Sequence, residues 1–146
     1  MVTFETSADI AAGRDAVWQI LSNVMSWGRW NPTVTKIEAL DSSRLRTGNR
    51  FRVTQPKLRP AVWEATLVDP PSAFVWTSKS PGMTMIASHI VSEITPAQTK
   101  ITLRFVFKGW VGVVVGRLVG GLVADYLAKE SLALRFAVER DDHSTA

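Results

Sequence analysis

The sequence of 146 residues contains no cysteine, only two histidines and a single tyrosine. The missing cysteine excludes disulfide bonds, thiolate metal sites and a cysteine nucleophile, and it agrees with a cytoplasmic location. No group of His, Asp and Glu has the spacing of a metal site, and there is no phosphate-binding loop, dinucleotide fingerprint or G-x-S-x-G elbow. We therefore expect neither a metal nor an organic cofactor.

The sequence also has no long apolar run and no strong net charge. The N-terminus lacks a basic region followed by an apolar segment, so we expect no signal peptide. The most apolar stretch, 110–124, is interrupted by Arg117 and is shorter than the ~20 residues of a membrane span, which predicts no stable membrane insertion. The formal net charge of +4 is too mild to predict a nucleic-acid partner.

The basic residues are nevertheless concentrated in one segment that contains no acid between Asp41 and Glu64. Its basic members are Arg44, Arg46, Arg50, Arg52, Lys57 and Arg59. One interpretation is an interaction module, in which a hairpin over 44–59 contacts RNA, an anionic membrane surface or an acidic protein. The alternative is a solvated edge of a sheet.

Hydrophobic residues make up 46% and charged residues 21% of the chain, which is ordinary globular usage. We expect one domain over residues 1–140 and a disordered tail over 141–146. Periodicity and turn residues predict a strand over 2–10, a helix from 14 to 22, a helical turn over 25–30 and a long helix over 111–139. Between them lie six predicted strands: 35–40, 50–55, 62–68, 74–78, 85–95 and 100–108. Consecutive antiparallel strands with helices on one face make an α+β fold.

Several short motifs occur in an order that is typical of one superfamily. "IAAGRDAVWQILSN" has a small-residue turn before an x-x-V-W-x-x-L helix, and "WGRWNP" follows it. Further along are "RTGNRFRV", "LVDPPSAFVW" and the closing hairpin "SHIVSEITPAQTKITLRFVFKG". Together they resemble the START-like (SRPBCC) helix-grip superfamily in its polyketide cyclase/dehydrase-like branch. The resemblance implies a curved sheet of about seven strands around the C-terminal helix, enclosing a pocket for a lipid, polyketide or isoprenoid-like molecule.

Glycines in the last helix bear on such a pocket. Gly116 and Gly120 lie on the stripe that is expected to face the sheet, although glycine costs about 1 kcal/mol relative to alanine inside a helix. One interpretation is that they leave volume for a ligand; the other is that they allow close packing of helix and sheet.

We expect the rest of the ligand-binding wall to come from the sheet. If Ile94 faces inward, alternation places Ser88, Ile90 and Ser92 on the same wall. Alternation also predicts inward aromatic side chains, which can stack on a planar ligand: Phe51, Trp63, Trp76 and Phe105. Trp30 and Asn31 end the short helical segment, and the resemblance implies that they lie at the mouth of the pocket.

Candidates for catalysis are few. Alternation with Ser88 and Ile90 points His89 outward, and Tyr126 lies one step off the helix stripe, where its hydroxyl can reach the pocket. The sequence therefore favours a binder of an apolar small molecule without catalysis. The alternative is a cyclase or dehydratase, which needs a titratable group inside the cavity. A monomer and a homodimer both remain open.

Overall fold

A computed structural model describes the backbone of residues 1–144 and the side chains of residues 1–141. Seven strands form one antiparallel sheet in the order β1-β7-β6-β5-β4-β3-β2. The strands are β1 (Val2–Ile10), β2 (Lys36–Ala39), β3 (Arg50–Thr54), β4 (Ala61–Asp69), β5 (Ala73–Ser80), β6 (Met83–Thr95) and β7 (Gln98–Lys108). The predicted α+β helix-grip architecture is thus confirmed.

The helices follow β1 and β7. Helix α1 (Arg14–Ser22), a 3-10 turn (Val24–Ser26) and the four-residue helix α2 (Trp27–Trp30) separate β1 from β2. Helix α3 spans Trp110–Ser144, so it continues into the segment that was expected to be a disordered tail. Residues 145–146 of that tail lie outside the described residues.

Helix α3 begins at a sharp turn that depends on glycine. Gly109 has a φ of 84°, which favours glycine, and a β carbon there would collide with the carbonyl oxygen of Gly82. The backbone N–H of Val111 donates to that same oxygen at 3.1 Å. The start of α3 is therefore fixed against the turn between β5 and β6.

Helix α3 packs mainly on β1 and β7, and only lightly on β6. Its buried stripe continues the line of Gly116 and Gly120 through Val123, Leu127, Leu134 and Val138, which are all less than 9% exposed. Among the described residues it is also the one helix long and apolar enough, by length and composition, to cross a membrane. The buried stripe instead packs against the sheet, mainly on β1 and β7.

Candidate functional site

A cavity of about 700 Å³ lies between α3 and the half of the sheet that α3 does not cover. Such a volume suits a small organic ligand. The wall includes Trp63, Trp76 and Phe105, three of the four aromatic residues expected there. The fourth, Phe51, is fully buried behind Trp76, with ring centroids 6.1 Å apart, and does not line the cavity.

The cavity opens at one end of the sheet. Its wall there is formed by exposed residues of the β3–β4 loop, such as Arg59, and of the end of β5, such as Ser80. This mouth is not at Trp30 and Asn31, so their expected position is wrong. Trp30 packs on Trp27 with ring centroids 5.8 Å apart, and Asn31 is buried; neither lines the cavity.

The predicted inner face of β6 is also wrong by one residue. Ile90 and Ile94 are 38% and 47% exposed and Ser92 is exposed, whereas Ala87, His89 and Val91 are buried. Ser88 belongs to the same outward set, although some of its atoms border the cavity.

A β-bulge explains the error. The pairing of β6 with β7 shifts between Glu93 and Thr95, so that Val91, and not Ser92, lies opposite Ile101. An unbulged hairpin would pair Ser92 with Ile101 and place the serines inward. One extra residue reverses the two faces of a strand beyond it.

His89 therefore points inward, contrary to the sequence prediction. Its ring stacks on Phe74 at a centroid distance of 4.0 Å, and its Nδ1 lies 3.3 Å from the carbonyl oxygen of Phe74. A carbonyl only accepts, so Nδ1 carries the proton and Nε2 is the acceptor. Burial lowers the pKa of His89 from 6.5 to about 3, which keeps the ring neutral.

Glu130 of α3, which was not among the predicted site residues, also lines the cavity. Its Oε1 accepts a hydrogen bond of 2.8 Å from Nδ2 of Asn31. The amide of Asn31 is oriented by Thr33, whose N–H and hydroxyl both donate to its Oδ1, at 3.0 and 2.8 Å. Asn31 thus positions Glu130 without itself lining the cavity.

The burial of Glu130 decides its protonation. Desolvation raises the pKa of Glu130 from 4.5 to about 7, against the opposing hydrogen bond from Asn31. At neutral pH a large fraction of Glu130 is therefore a carboxylic acid, which can donate a hydrogen bond or a proton into the cavity. One feature of the sequence indicates that Glu130 is buried: it lies three residues after Leu127, on the apolar side of the helix.

Two further hydroxyls belong to the cavity wall. Tyr126 lines it as predicted, and its hydroxyl donates to the carbonyl oxygen of Pro56 in the β3–β4 loop. Ser78 is buried and lines the wall from β5. The wall is therefore apolar and aromatic with a small number of polar groups.

The glycines do not hold open space for a ligand. A β carbon on Gly116 would lie 2.9 Å from Cδ2 of Phe107, and one on Gly120 would lie 2.8 Å from Cζ of Phe4. Neither glycine lines the cavity. The close-packing interpretation is correct, and the ligand-volume interpretation is wrong.

The basic 44–59 segment does not form one hairpin patch. Nη2 of Arg50 lies 3.0 Å from Oδ1 of Asp41, at the end of β3 opposite the mouth. Arg59 lies at the mouth, and Lys57 belongs to the same β3–β4 loop, at the far end of β3. In the part of the chain with described side chains, no three His, Asp or Glu residues come together as metal ligands.

The family model described as polyketide cyclase/dehydrase and lipid transport matches residues 1–137. No curated protein matches the chain. Among solved structures, the Zhui aromatase/cyclase from a Streptomyces species is 17% identical with a TM-score of 0.78, over 95% of this chain and 94% of that one. A START superfamily protein from Mycobacterium smegmatis is 15% identical (TM-score 0.72, 94% and 97% covered). Norcoclaurine synthase from Thalictrum flavum, in complex with dopamine and hydroxybenzaldehyde, is 15% identical (TM-score 0.72, 95% and 87% covered).

Proposed function

Since the chain belongs to the polyketide cyclase/dehydrase and lipid transport family, we propose that it binds an apolar small molecule in the cavity beneath α3. The observation that carries the proposal is the cavity itself, about 700 Å³ with a mainly apolar and aromatic wall. Trp63 and Trp76 offer faces on which a planar group can stack. Burial of apolar ligand surface then supplies the binding free energy.

The polar groups of the wall narrow the ligand class. A neutral Glu130 donates a hydrogen bond, whereas Nε2 of His89 accepts one. A ligand that carries both a carbonyl and a hydroxyl group satisfies both residues. A wholly hydrocarbon ligand leaves them unpaired, which costs about 1–3 kcal/mol for each buried group.

The test uses adjacent residues of α3. Val119 lines the cavity, whereas the neighbouring Leu118 is 80% exposed. Val119→Phe should place a ring inside the cavity and weaken binding of the fluorescent probe anilinonaphthalene sulfonate at least about tenfold, while Leu118→Phe should leave it unchanged. Native mass spectrometry of gently purified protein then identifies any co-purifying ligand. Equal probe binding by both variants, with circular dichroism confirming that both are folded, would contradict the proposal.

A second candidate function is dehydration of a β-hydroxy ketone, and the observation that favours it is the position of Glu130. A carboxyl with a pKa of about 7 is suited to proton transfer near neutral pH. Glu130 would protonate the leaving hydroxyl as the C–O bond breaks and water departs. Its carboxylate would then accept the proton from the adjacent carbon as the C=C bond forms, which restores the acid. His89, with a pKa of about 3, is too weak a base for this step and is assigned to substrate binding.

Turnover separates the two candidates. A β-hydroxy aryl ketone serves as the probe, and its conjugated product is followed by ultraviolet absorbance. Glu130→Gln should abolish product formation and retain binding of anilinonaphthalene sulfonate. If the unmodified protein binds such ketones but converts none of them, ligand binding without catalysis is the supported function.

A further inference from the structure

The first part of α3 exposes an apolar face to solvent. Trp110, Val114 and Leu118 are 79%, 52% and 80% exposed and follow one another at four-residue spacing. Residues at that spacing lie on one side of a helix. The opposite side of the same segment packs on Phe107 through Gly112 and Gly116.

This face adjoins the mouth of the cavity. The strand register aligns Met83 with Ser80, and Thr84 with Lys108, so the β5–β6 turn and the end of β7 meet at one end of the sheet. Trp110 follows directly and approaches that turn, with its Nε1 3.3 Å from the position of a β carbon on Gly82. The exposed helix face and the mouth are therefore parts of one surface.

The charges of this surface have one sign. The segments 51–63, 70–92 and 94–124, which include the β3–β4 loop, the β5–β6 turn and the first part of α3, contain no Asp or Glu. The exposed basic residues of the surface are Lys57, Arg59, Lys79, Lys108 and Arg117. An exposed tryptophan and leucine surrounded by basic side chains is the composition of a face that lies in a membrane interface.

We propose that this end of the molecule docks on the surface of an anionic phospholipid bilayer. Trp110 and Leu118 enter the interface, and the basic residues contact the phosphates. The mouth of the cavity then faces the membrane, where an apolar ligand resides. A second copy of the chain is a poorer occupant, because a symmetric contact would bring two sets of five positive charges together.

Helix α3 stays on the domain during docking. The side of its first turns that faces the sheet is held by Phe107, Met83 and Val2. Only the outer side meets the bilayer, so the docking is peripheral. This proposal concerns the exterior of the protein and holds whichever function the cavity has.

The experiment is flotation of the purified full chain with two kinds of vesicle. One is pure phosphatidylcholine, and the other contains ~30% phosphatidylglycerol. We expect binding to the anionic vesicles only, weakened by raised salt. The double variant Lys79→Gln/Lys108→Gln should lower the partition coefficient about 30-fold, since each lysine near an anionic surface contributes about fivefold.

Matched controls come from the same elements. Trp110→Ser/Leu118→Ser should lower binding at least tenfold, whereas Phe136→Ser, at an apolar residue 68% exposed on the far part of α3, should not. Lys100→Gln, at the opposite end of β7 from Lys108, is the control for charge. Each variant is checked for native folding by circular dichroism.

Four results would overturn the proposal. The first is equal binding to both kinds of vesicle, or to neither. The second is an equal loss of binding in the Phe136→Ser or Lys100→Gln control. The third is self-association of the free chain, measured by sedimentation velocity, that the Trp110→Ser/Leu118→Ser variant abolishes. Binding that resists both high salt and alkaline extraction would instead indicate insertion of α3, and would overturn peripheral docking.

Discussion

Replacing Glu130 with glutamine tests whether this carboxyl is held neutral in the cavity wall. Burial raises its pKa from 4.5 to about 7, while the hydrogen bond from Asn31 acts in the opposite direction. Glutamine has nearly the same shape and is neutral at every pH. Its side-chain oxygen still accepts the hydrogen bond from Nδ2 of Asn31, so the substitution isolates the effect of ionisation.

The sign of the effect follows from proton binding. Between pH 4.5 and about 7 the folded protein keeps a proton on Glu130 that the unfolded chain releases. The contribution of this group to stability is therefore complete below pH 4.5 and is lost as the pH rises to about 7. A difference of about 2.5 pKa units corresponds to about 3 kcal/mol of the free energy of unfolding.

His89 also changes the stability of the protein with pH. The difference in stability between Glu130→Gln and the parent is therefore more informative than the pH dependence of either protein alone. Its pKa is lowered from 6.5 to about 3, so it destabilises the folded state as the pH falls through that range. Between pH 4.5 and 6.5, rising pH therefore lowers the stability through Glu130 and raises it through His89. Subtracting the parent from Glu130→Gln removes the contribution of His89 and leaves that of Glu130.

The assay is urea unfolding followed by tryptophan fluorescence at several pH values from about 4 to 8. The stability of Glu130→Gln minus that of the parent should rise by about 3 kcal/mol between pH 4.5 and about 7. Glu93→Gln, at an exposed glutamate of β6, controls for the loss of a carboxyl far from the cavity. A difference curve for Glu130→Gln that is flat over this range would refute the buried neutral carboxyl.

Two other predictions concern the helix and the mouth. Gly116→Leu should lower the free energy of unfolding by about 3 kcal/mol, because the ring of Phe107 occupies the space of the new side chain. Gly121→Ala, which faces open space, should raise it by about 0.5–1 kcal/mol, and similar effects of the two changes on urea unfolding would contradict the packing argument. Tyr126→Phe removes the hydrogen bond to Pro56 and should cost about 1 kcal/mol. It should also speed release of anilinonaphthalene sulfonate in stopped-flow measurements, and an unchanged release rate would argue against a role at the mouth.

The architecture was predictable because its signals are local. Alternation in β7 places Leu103 and Phe105 on one face, and turn residues separate each strand from the next. The faces of β6 were not predictable in the same way, because both carry apolar side chains: Ala87 and Val91 on one, Ile90 and Ile94 on the other. Only the bulge near Ile94 decides which set is buried, and a bulge has no clear mark in this sequence.

The polar part of the site was hidden for a different reason. Asn31 and Glu130 are 99 residues apart in the chain, and each is unremarkable among its neighbours. Their pairing depends on how α2 and α3 pack, which is a property of the tertiary structure. A charged residue on the apolar side of an amphipathic helix is the one local signal, and it identifies Glu130 without its partner.

The glycines of α3 maintain the cavity indirectly. Gly116 and Gly120 let one side of the helix approach Phe107 and Phe4 closely, so the helix lies over the β1–β7 side of the sheet. The side that carries Val119 then faces the strands from β3 to β5 across the cavity. A larger residue at either glycine would push the helix away from β1 and toward that space. Substitution of Gly116 or Gly120 should thus change the shape of the cavity by moving α3, although neither glycine lines the cavity.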